Sequence, residues 1–136
     1  MKARIFKAYD IRGLYPEEFN EGVAVEIAAN LPHYFHSKSK GKTTKIVIGR
    51  DARIGSLTIY RAIRAALKKG KYKVKLIQIN LATTPMFYFL VAKLKAQGGI
   101  MVTASHNPKN WNGLKVVGYN AEMISGKKVL KIINRE

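Results

Sequence analysis

The stretch that most constrains the fold is GGIMVTASHNPKNWNGLKVV (residues 98–117), in which two apolar runs flank a polar loop. The run at 100–102 is short and apolar, which is typical of a buried strand. Asn107 and Pro108 predict a turn, because the residue before a proline avoids the helical conformation. A second strand at 114–117 would then return beside the first. This hairpin-like return predicts that one strand of the sheet is antiparallel.

Upstream of this stretch, strand-length patterns alternate with helix-length patterns. Residues 45–49 (KIVIG) and 74–79 predict two further strands, and residues 4–9 predict an extended N-terminal segment. The basic segment 37–45 (SKSKGKTTK) predicts a flexible loop. Alternating strands and helices are typical of α/β layer folds. We therefore predict a single three-layer α/β/α domain over residues 1–136, with a mixed, mostly parallel sheet.

The helices have start and stop signals of their own. They are predicted to begin after Asn20, to cover 56–69, to begin at a cap on Thr84, and to cover 125–135. Pro32 is expected to kink or end the first helix, because proline lacks the N–H that the helix interior needs. Gly98 and Gly99 are expected to end the third helix.

The charge balance of the chain is unusual, with 25 Lys and Arg against 8 Asp and Glu and a formal net charge of +17. Such a charge attracts polyanions or an acidic partner. A specific polyanion site and a solvated basic surface both stay open as interpretations. The chain has no cysteine, which excludes disulfides and thiolate metal sites and fits a cytoplasmic location. We expect neither a signal peptide nor a membrane span.

Polar, charge-bearing segments follow three of the predicted extended segments. They are residues 9–13 (YDIRG), 49–53 (GRDAR) and 103–108 (TASHNP). Open α/β sheets bind ligands beyond the carboxyl ends of their strands, so a binding crevice is expected there. The third segment continues through a glycine bend, and it combines a hydroxyl, an imidazole, an amide and an ammonium group, from Ser105, His106, Asn107 and Lys115.

A serine hydrolase is disfavoured by the arrangement of Ser105 and His106. Adjacent residues of an extended segment point to opposite faces, so their side chains would not hydrogen-bond to each other. The Gly-x-Ser-x-Gly elbow is also absent from the sequence. From the residues alone, the loop is either a structural turn or an anion site.

Four motifs of the sequence resemble those of one enzyme family. TASHNP (103–108), followed by NGLK (112–115), is similar to the active-site loop of the α-D-phosphohexomutases, the phosphoglucomutase/phosphomannomutase family. FKAYDIRG (6–13), VIGRDAR (47–53) and TTPM (83–86) resemble further family motifs, and all stand in the family's order. The resemblance covers nearly the whole chain and points to the family's N-terminal domain.

This resemblance implies a catalytic role for four residues. Ser105 would carry a phosphoryl group and donate it to a hexose phosphate, through a bisphosphate intermediate that reorients before the serine takes back the other phosphate. Lys115 would act beside the phosphate as an acid/base or electrostatic group. Arg12 would hold the phosphoserine region, and His106 would help to position the sugar hydroxyl. Phosphoryl transfer depends mainly on positioning and charge stabilisation, which these side chains can supply.

The resemblance also implies a set of residues that bind phosphate or substrate, namely Tyr9, Arg12, Asn107 and Lys115. Asn107 would in addition shape the serine loop (TASHNP, residues 103–108) together with Pro108. Arg50 and Asp51 are interpreted as structural residues that pair with each other or brace the fold.

The family's Mg²⁺ is implied to lie between the phosphate on Ser105 and an aspartate-rich loop of a second domain. Mg²⁺ prefers oxygen ligands, usually carboxylates. This chain has two aspartates, Asp10 and Asp51, and no aspartate cluster. We therefore expect the metal site to be incomplete here, the later family domains to be supplied in cis or by a separate subunit, and the chain alone to have little or no mutase activity.

Other functions stay open. One is a non-catalytic module that binds phosphosugars or other anions, and another is a basic subunit that binds an acidic partner. A nucleic-acid binder is disfavoured, because the basic residues are scattered along the chain and Trp111 is the lone tryptophan. The sequence does not distinguish gluco, manno and amino sugars.

Overall fold

A computed structural model describes residues 1–41 and 43–136 of the chain. Its strands are β1 Ile11–Leu14, β2 Thr44–Arg50, β3 Val74–Leu81, β4 Gly98–Val102, β5 Trp111–Val117 and β6 Met123–Ile124. Its helices are α1 Glu21–Ser37, α2 Ser56–Lys69, α3 Thr84–Lys93 and α4 Gly126–Asn134, with short 3-10 helices at Ala3–Ile5 and Tyr119–Ala121. No helix within the two described ranges has the length and apolar character needed to span a membrane.

The strands form one sheet in the order β1-β5-β4-β2-β3, with β6 also paired to β5. The centre is parallel, because β2 lies parallel to both β3 and β4. β5 runs antiparallel to β4, as the hairpin-like return predicts, and it is antiparallel to β1 and β6 as well. The prediction of a mixed, mostly parallel sheet is confirmed for the core of the sheet, where β2, β3 and β4 are parallel.

The two faces of the sheet are covered by different helices. Alternate residues of a strand point to opposite faces. Ile46 and Ile48 of β2 therefore join a buried cluster with residues of α1, α2 and α4. Val47, on the other face, packs in a second buried cluster with Phe87 and Val91 of α3. The predicted three-layer α/β/α architecture is thus confirmed.

Gly98 and Gly99 do not end α3, and this prediction is wrong. The helix ends at Lys93, and the two glycines are the first residues of β4. A Cβ added at Gly98 would lie 2.2 Å from the ring of Phe35, and one at Gly99 would lie 2.7 Å from the ring of Phe87. The glycines therefore allow helices on both faces to approach the sheet closely.

Local features differ from the sequence predictions at three further places. The N-terminal segment contains a 3-10 helix at Ala3–Ile5 where an extended segment was expected. Pro32 lies inside α1 without ending it, because the inward face of this helix is buried on both sides of the proline. The cap of α3 is Thr83, whose hydroxyl accepts a hydrogen bond from the Met86 amide, and Thr84 is the first helical residue.

Helix α2 has both of its expected boundaries, and α1 begins where expected. The second helix covers residues 56–69 as predicted. Asn20 caps α1, and its side chain accepts a hydrogen bond from the Val23 amide. The segment predicted as a basic loop, 37–45, overlaps the last residue of α1 and the first two residues of β2, and Lys42 within it lies outside the described residues.

Candidate active site

An open cleft lies at the carboxyl end of β4, beside the N-terminus of α3 and the start of β1, and its volume is about 860 Å³. Five of the predicted site residues line it: Tyr9, Arg12, Ser105, His106 and Lys115. Further lining residues include Asp10, Asp51, Thr83, Thr84, Thr103 and Tyr88. The structure therefore brings the three polar segments of the sequence to one crevice.

Asn107 does not line this cleft, although the sequence makes it a candidate for binding phosphate. Its side-chain amide donates a 2.7 Å hydrogen bond to the carbonyl oxygen of Ala104, and its backbone amide donates to the same oxygen at 3.2 Å. Asn107 thus closes the turn that contains Ser105. Its position supports the loop-shaping role and gives its side chain no place in the cleft wall.

The serine loop is a tight turn and not an extended segment. Ser105 has a φ of +56°, in the left-handed region that residues other than glycine seldom adopt. Its amide donates a 3.0 Å hydrogen bond to the Thr103 hydroxyl. The serine is partly exposed, and His106 is exposed beside it. The extended geometry used to argue against a serine–histidine pair is therefore not the geometry of this loop.

The guanidinium of Arg53 binds backbone carbonyl oxygens of the serine loop. Its Nη2 donates to the carbonyl oxygens of Ser105 (2.6 Å) and Asn107 (2.8 Å), and its Nη1 donates to those of Pro108 (2.7 Å) and Trp111 (3.4 Å). Charge-assisted hydrogen bonds of this kind are stronger than neutral ones. Sequence reasoning missed this role of Arg53, although the residue ends the VIGRDAR motif.

Asp51 supports Arg53. Its carboxylate lies 3.3 Å from Arg53 Nε and accepts hydrogen bonds from the Arg53 amide (3.1 Å) and the Ser56 hydroxyl (2.6 Å). Arg50, in contrast, donates from Nε to the side chain of Asn80 at 2.9 Å and from Nη1 to the backbone carbonyl oxygen of Asp51 at 3.2 Å. The side chains of Arg50 and Asp51 therefore have different partners, and Asp51 braces the serine loop through Arg53.

Asn112 connects this scaffold to β5. It is fully buried, and its amide group donates 3.0 Å hydrogen bonds to the Ile54 carbonyl and the Ser56 hydroxyl. Its side-chain oxygen accepts from the Gly113 amide at 2.8 Å. These bonds tie the start of β5 to the start of α2.

The cationic side of the cleft is organised around Asp10, whose side chain is only 3% exposed. One carboxylate oxygen lies 3.4 Å from Arg12 Nε, and the other lies 3.5 Å from Lys115 Nζ. The pairing of β1 with β5 places them together, since Ile11 stands opposite Leu114 in the sheet. Sequence reasoning did not assign a site role to Asp10.

Tyr88 of α3 contributes a phenol to the same cleft. Burial raises the pKa of this phenol above its ordinary value of 10.0, and the negative charge of Asp10 raises the pKa further. Tyr88 therefore stays protonated at neutral pH, so its hydroxyl can donate a hydrogen bond to an anion.

The two aspartates of this chain do not supply carboxylates for the Mg²⁺ that the family resemblance implies. Residues 1–41 and 43–136 contain no group of three or more acidic or histidine side chains that could hold a metal ion. Asp10 faces two cations, and the carboxylate of Asp51 is taken up by Arg53 and Ser56. A phosphate on Ser105 would offer oxygen ligands from this side of the cleft.

Comparison with known proteins places this geometry in a family. The family model described as phosphoglucomutase/phosphomannomutase, alpha/beta/alpha domain I, matches residues 3–136. A phosphomannomutase from Escherichia coli is 42% identical over 130 residues, which are 96% of this chain and 27% of that protein. A phosphomannomutase sequence from Klebsiella pneumoniae is also 42% identical, with 96% of this chain and 78% of that sequence covered. The chain thus spans about a quarter of the Escherichia coli relative.

Solved structures agree with the sequence comparisons. A phosphoglucomutase/phosphomannomutase family protein from Burkholderia thailandensis superposes with a TM-score of 0.83 at 26% identity, covering 99% of this chain and 30% of that one. The structure of a putative phosphomannomutase from Thermus thermophilus gives a TM-score of 0.79 at 28% identity, covering 95% and 29%. Because the family model matches residues 3–136, nearly the whole chain, this chain belongs to the phosphoglucomutase/phosphomannomutase family and corresponds to its α/β/α domain I.

Proposed function

We propose that this chain is the phosphoserine-bearing domain of a phosphohexomutase, which interconverts hexose 1- and 6-phosphates through a bisphosphate. The observation that carries the proposal is the cleft in which the Ser105 loop meets Arg12 and Lys115. A hydroxyl that lines one cleft with two cations and an exposed imidazole suits the transfer of a phosphoryl group better than the transfer of an acyl group.

In the proposed reaction, the phosphoryl group resides on Ser105 Oγ. A hydroxyl oxygen of the hexose monophosphate attacks the phosphorus as the bond to Oγ breaks, which yields the bisphosphate and a free serine. The bisphosphate then reorients, and Ser105 Oγ attacks its other phosphate to restore the phosphoserine. Each half-reaction makes one P–O bond and breaks one, and the hydroxyl proton passes between the two oxygens through a neighbouring group.

The cationic residues stabilise the charge of the group in transit. Arg12 offers a planar fork for phosphate oxygens, and Lys115 offers a compact charge beside them. Lys115 is also the group proposed to carry the proton. His106, exposed next to the serine, orients the attacking hydroxyl, while Tyr9 lies at the exposed rim of the cleft.

The loop itself contributes by being held rigid. Arg53 donates a hydrogen bond to the carbonyl oxygen of Ser105, and the Asn107 side chain donates one to the carbonyl oxygen of Ala104 within the same turn. A nucleophile that is held in place before the reaction avoids an entropic cost during phosphoryl transfer. The remaining sugar and metal contacts, including the carboxylates that Mg²⁺ needs, are proposed to come from other mutase domains.

The phosphoserine is tested by intact-mass analysis of the 136-residue chain after incubation with glucose 1,6-bisphosphate, Mg²⁺ and the further mutase domains that would supply the metal carboxylates. We expect one phosphate, which is absent when Ser105→Ala is treated in the same way. A coupled assay with glucose 1-phosphate and mannose 1-phosphate should show little or no turnover by the chain alone. A phosphate that forms on another residue would contradict the assignment of Ser105, and robust turnover would contradict the need for further domains.

The alternative is a non-catalytic module that binds phosphosugars or other anions. Both the catalytic domain and the binding module would use the cationic cleft. The net charge of +17 would attract an acidic partner to either of them. The same mass experiment separates the two functions. Phosphosugar binding without any phosphorylation of Ser105, in the presence of the bisphosphate donor and the further domains, would favour the module.

A further inference from the structure

The two aspartates of the chain have very different surroundings. Asp51 accepts hydrogen bonds from a backbone amide and a serine hydroxyl and also pairs with Arg53. Asp10 is more deeply buried, yet its side-chain neighbours are the two cations at 3.4 and 3.5 Å, and its Oδ1 is buried without a hydrogen-bond partner among the described residues. Asp10 lines the cleft, and no backbone amide of the described residues donates a hydrogen bond to its carboxylate.

A buried carboxylate kept only for folding is normally satisfied by hydrogen bonds, because burying an unsatisfied charge is costly. Asp51 meets this expectation and Asp10 does not. The backbone of Asp10, and not its side chain, is held by a hydrogen bond, since the Asp10 carbonyl accepts from the Lys7 amide at 2.8 Å. The incompletely satisfied side chain of Asp10 therefore needs another explanation.

We propose that Asp10 is a positioning residue that sets the directions of Arg12 and Lys115 toward the phosphoryl group. This inference rests on the proposed function of the cleft. Asp10 approaches Arg12 at Nε, which leaves the two terminal amino groups of the guanidinium for phosphate oxygens. It approaches Lys115 at Nζ, which has three donors and keeps others for the ligand.

Because Asp10 is negatively charged, the direction in which phosphate affinity changes on its removal distinguishes a positioning role from a purely electrostatic one. A negative charge next to two phosphate-binding cations weakens the attraction of an anion. If charge alone mattered, removal of the Asp10 carboxylate would tighten phosphate binding. If Asp10 orients the cations, its removal releases two long side chains, and binding weakens despite the gain in positive potential.

The test uses the full 136-residue chain and inorganic phosphate as the probe, with the dissociation constant measured by NMR titration. The variants are Asp10→Asn, Asp10→Glu, Arg12→Gln and Glu18→Gln. Glu18 is the matched control, because it pairs with the exposed Arg4 at 2.9 Å and does not line the cleft. Thermal unfolding of each variant shows whether the fold is retained.

We expect Asp10→Asn to weaken phosphate binding about tenfold, as the loss of one charge-assisted contact would. Asp10→Glu retains the carboxylate one methylene further out, so it should recover part of the affinity. The control should bind phosphate as the unaltered chain does. Should Asp10→Asn unfold, the intermediate affinity expected of Asp10→Glu still tests the inference, because equal or tighter binding by that variant contradicts it.

The outcomes separate this inference from the proposed function. Weaker binding by Arg12→Gln together with unchanged or tighter binding by Asp10→Asn would overturn the positioning role and leave the phosphate site in place. Unchanged binding by Arg12→Gln would show that phosphate is not held at this cleft, and the proposed function itself would fail.

Discussion

Arg53 Nη2 lies 2.6 Å from the carbonyl oxygen of Ser105, so the guanidinium directly holds the backbone of the proposed nucleophile. The same side chain also reaches the carbonyl oxygens of Asn107, Pro108 and Trp111, the first residue of β5, and it forms an ion pair with Asp51. The left-handed backbone of Ser105 is unfavourable by itself. One long-range arginine therefore stabilises a local conformation that the loop sequence does not favour.

We predict that Arg53→Lys loosens the serine loop. Lysine has a compact ammonium that cannot match the four carbonyl oxygens reached by the arginine fork. The free energy of unfolding should fall by about 2 kcal/mol, since partners of a mostly buried donor are left unsatisfied. Urea denaturation measures this loss, and hydrogen exchange of the amides at 104–110 should become faster. Arg4→Lys, on the surface, should change neither quantity, and equal effects from both variants would contradict the prediction.

A second prediction concerns the close approach of α1 to the sheet. Gly98→Ala would place a Cβ 2.2 Å from the Phe35 ring, so helix and strand must move apart. We expect a loss of about 2 kcal/mol in the free energy of unfolding, in the range of overpacked cores. Gly70→Ala is the control, because its added Cβ would meet nothing closer than 3.7 Å. A stable Gly98→Ala variant would show that Phe35 repacks freely.

Asn112→Asp tests the buried scaffold under the serine loop. The substitution keeps the shape but replaces an amide that donates to Ile54 and Ser56 with a carboxyl group that faces two acceptors. The unfolding free energy should drop by at least about 2 kcal/mol at neutral pH, because a charge is buried among oxygens. Asn110→Asp, two residues away and exposed, should have little effect. Denaturation of both variants at pH 7 decides the matter.

The last prediction concerns the pH dependence of stability near Glu21. Burial alone would raise the pKa of this carboxyl, but hydrogen bonds from Thr58 (2.6 Å) and Tyr15 outweigh it and lower the pKa below the ordinary 4.5. A depressed pKa in the folded state stabilises the protein above the unfolded value, and this contribution disappears as the pH falls through the folded value.

Glu21→Gln should therefore be less stable than the unaltered chain at neutral pH, and the difference should shrink toward zero on acidification. Thermal unfolding measured from pH 7 down to pH 3 gives this difference directly. Glu26→Gln, an exposed carboxylate of the same helix, provides the comparison. A stability difference for Glu21→Gln that stays constant over this range would rule out the ionisation of Glu21 as its cause.

Several parts of the fold and site could be predicted from the sequence because their signals are local. The cap at Asn20 and the bounds of α2 depend on residues within a few positions of each other, and both predictions are confirmed. The TASHNP motif likewise identified the loop that holds Ser105. The prediction that Gly98 and Gly99 end a helix was wrong. Glycine is needed at these positions because aromatic rings from two helices, which are distant in sequence or on another element, pack against the strand there.

The sequence by itself determined the order of strands and helices, the loop that carries Ser105 and the family to which the chain belongs. Only the tertiary structure decided that Asp10 faces Lys115 and that Arg53 holds the serine loop. The reason is physical. Secondary structure and turns follow from interactions between near neighbours, whereas these contacts depend on the register of β1 on β5 and on the packing of distant loops at one end of the sheet.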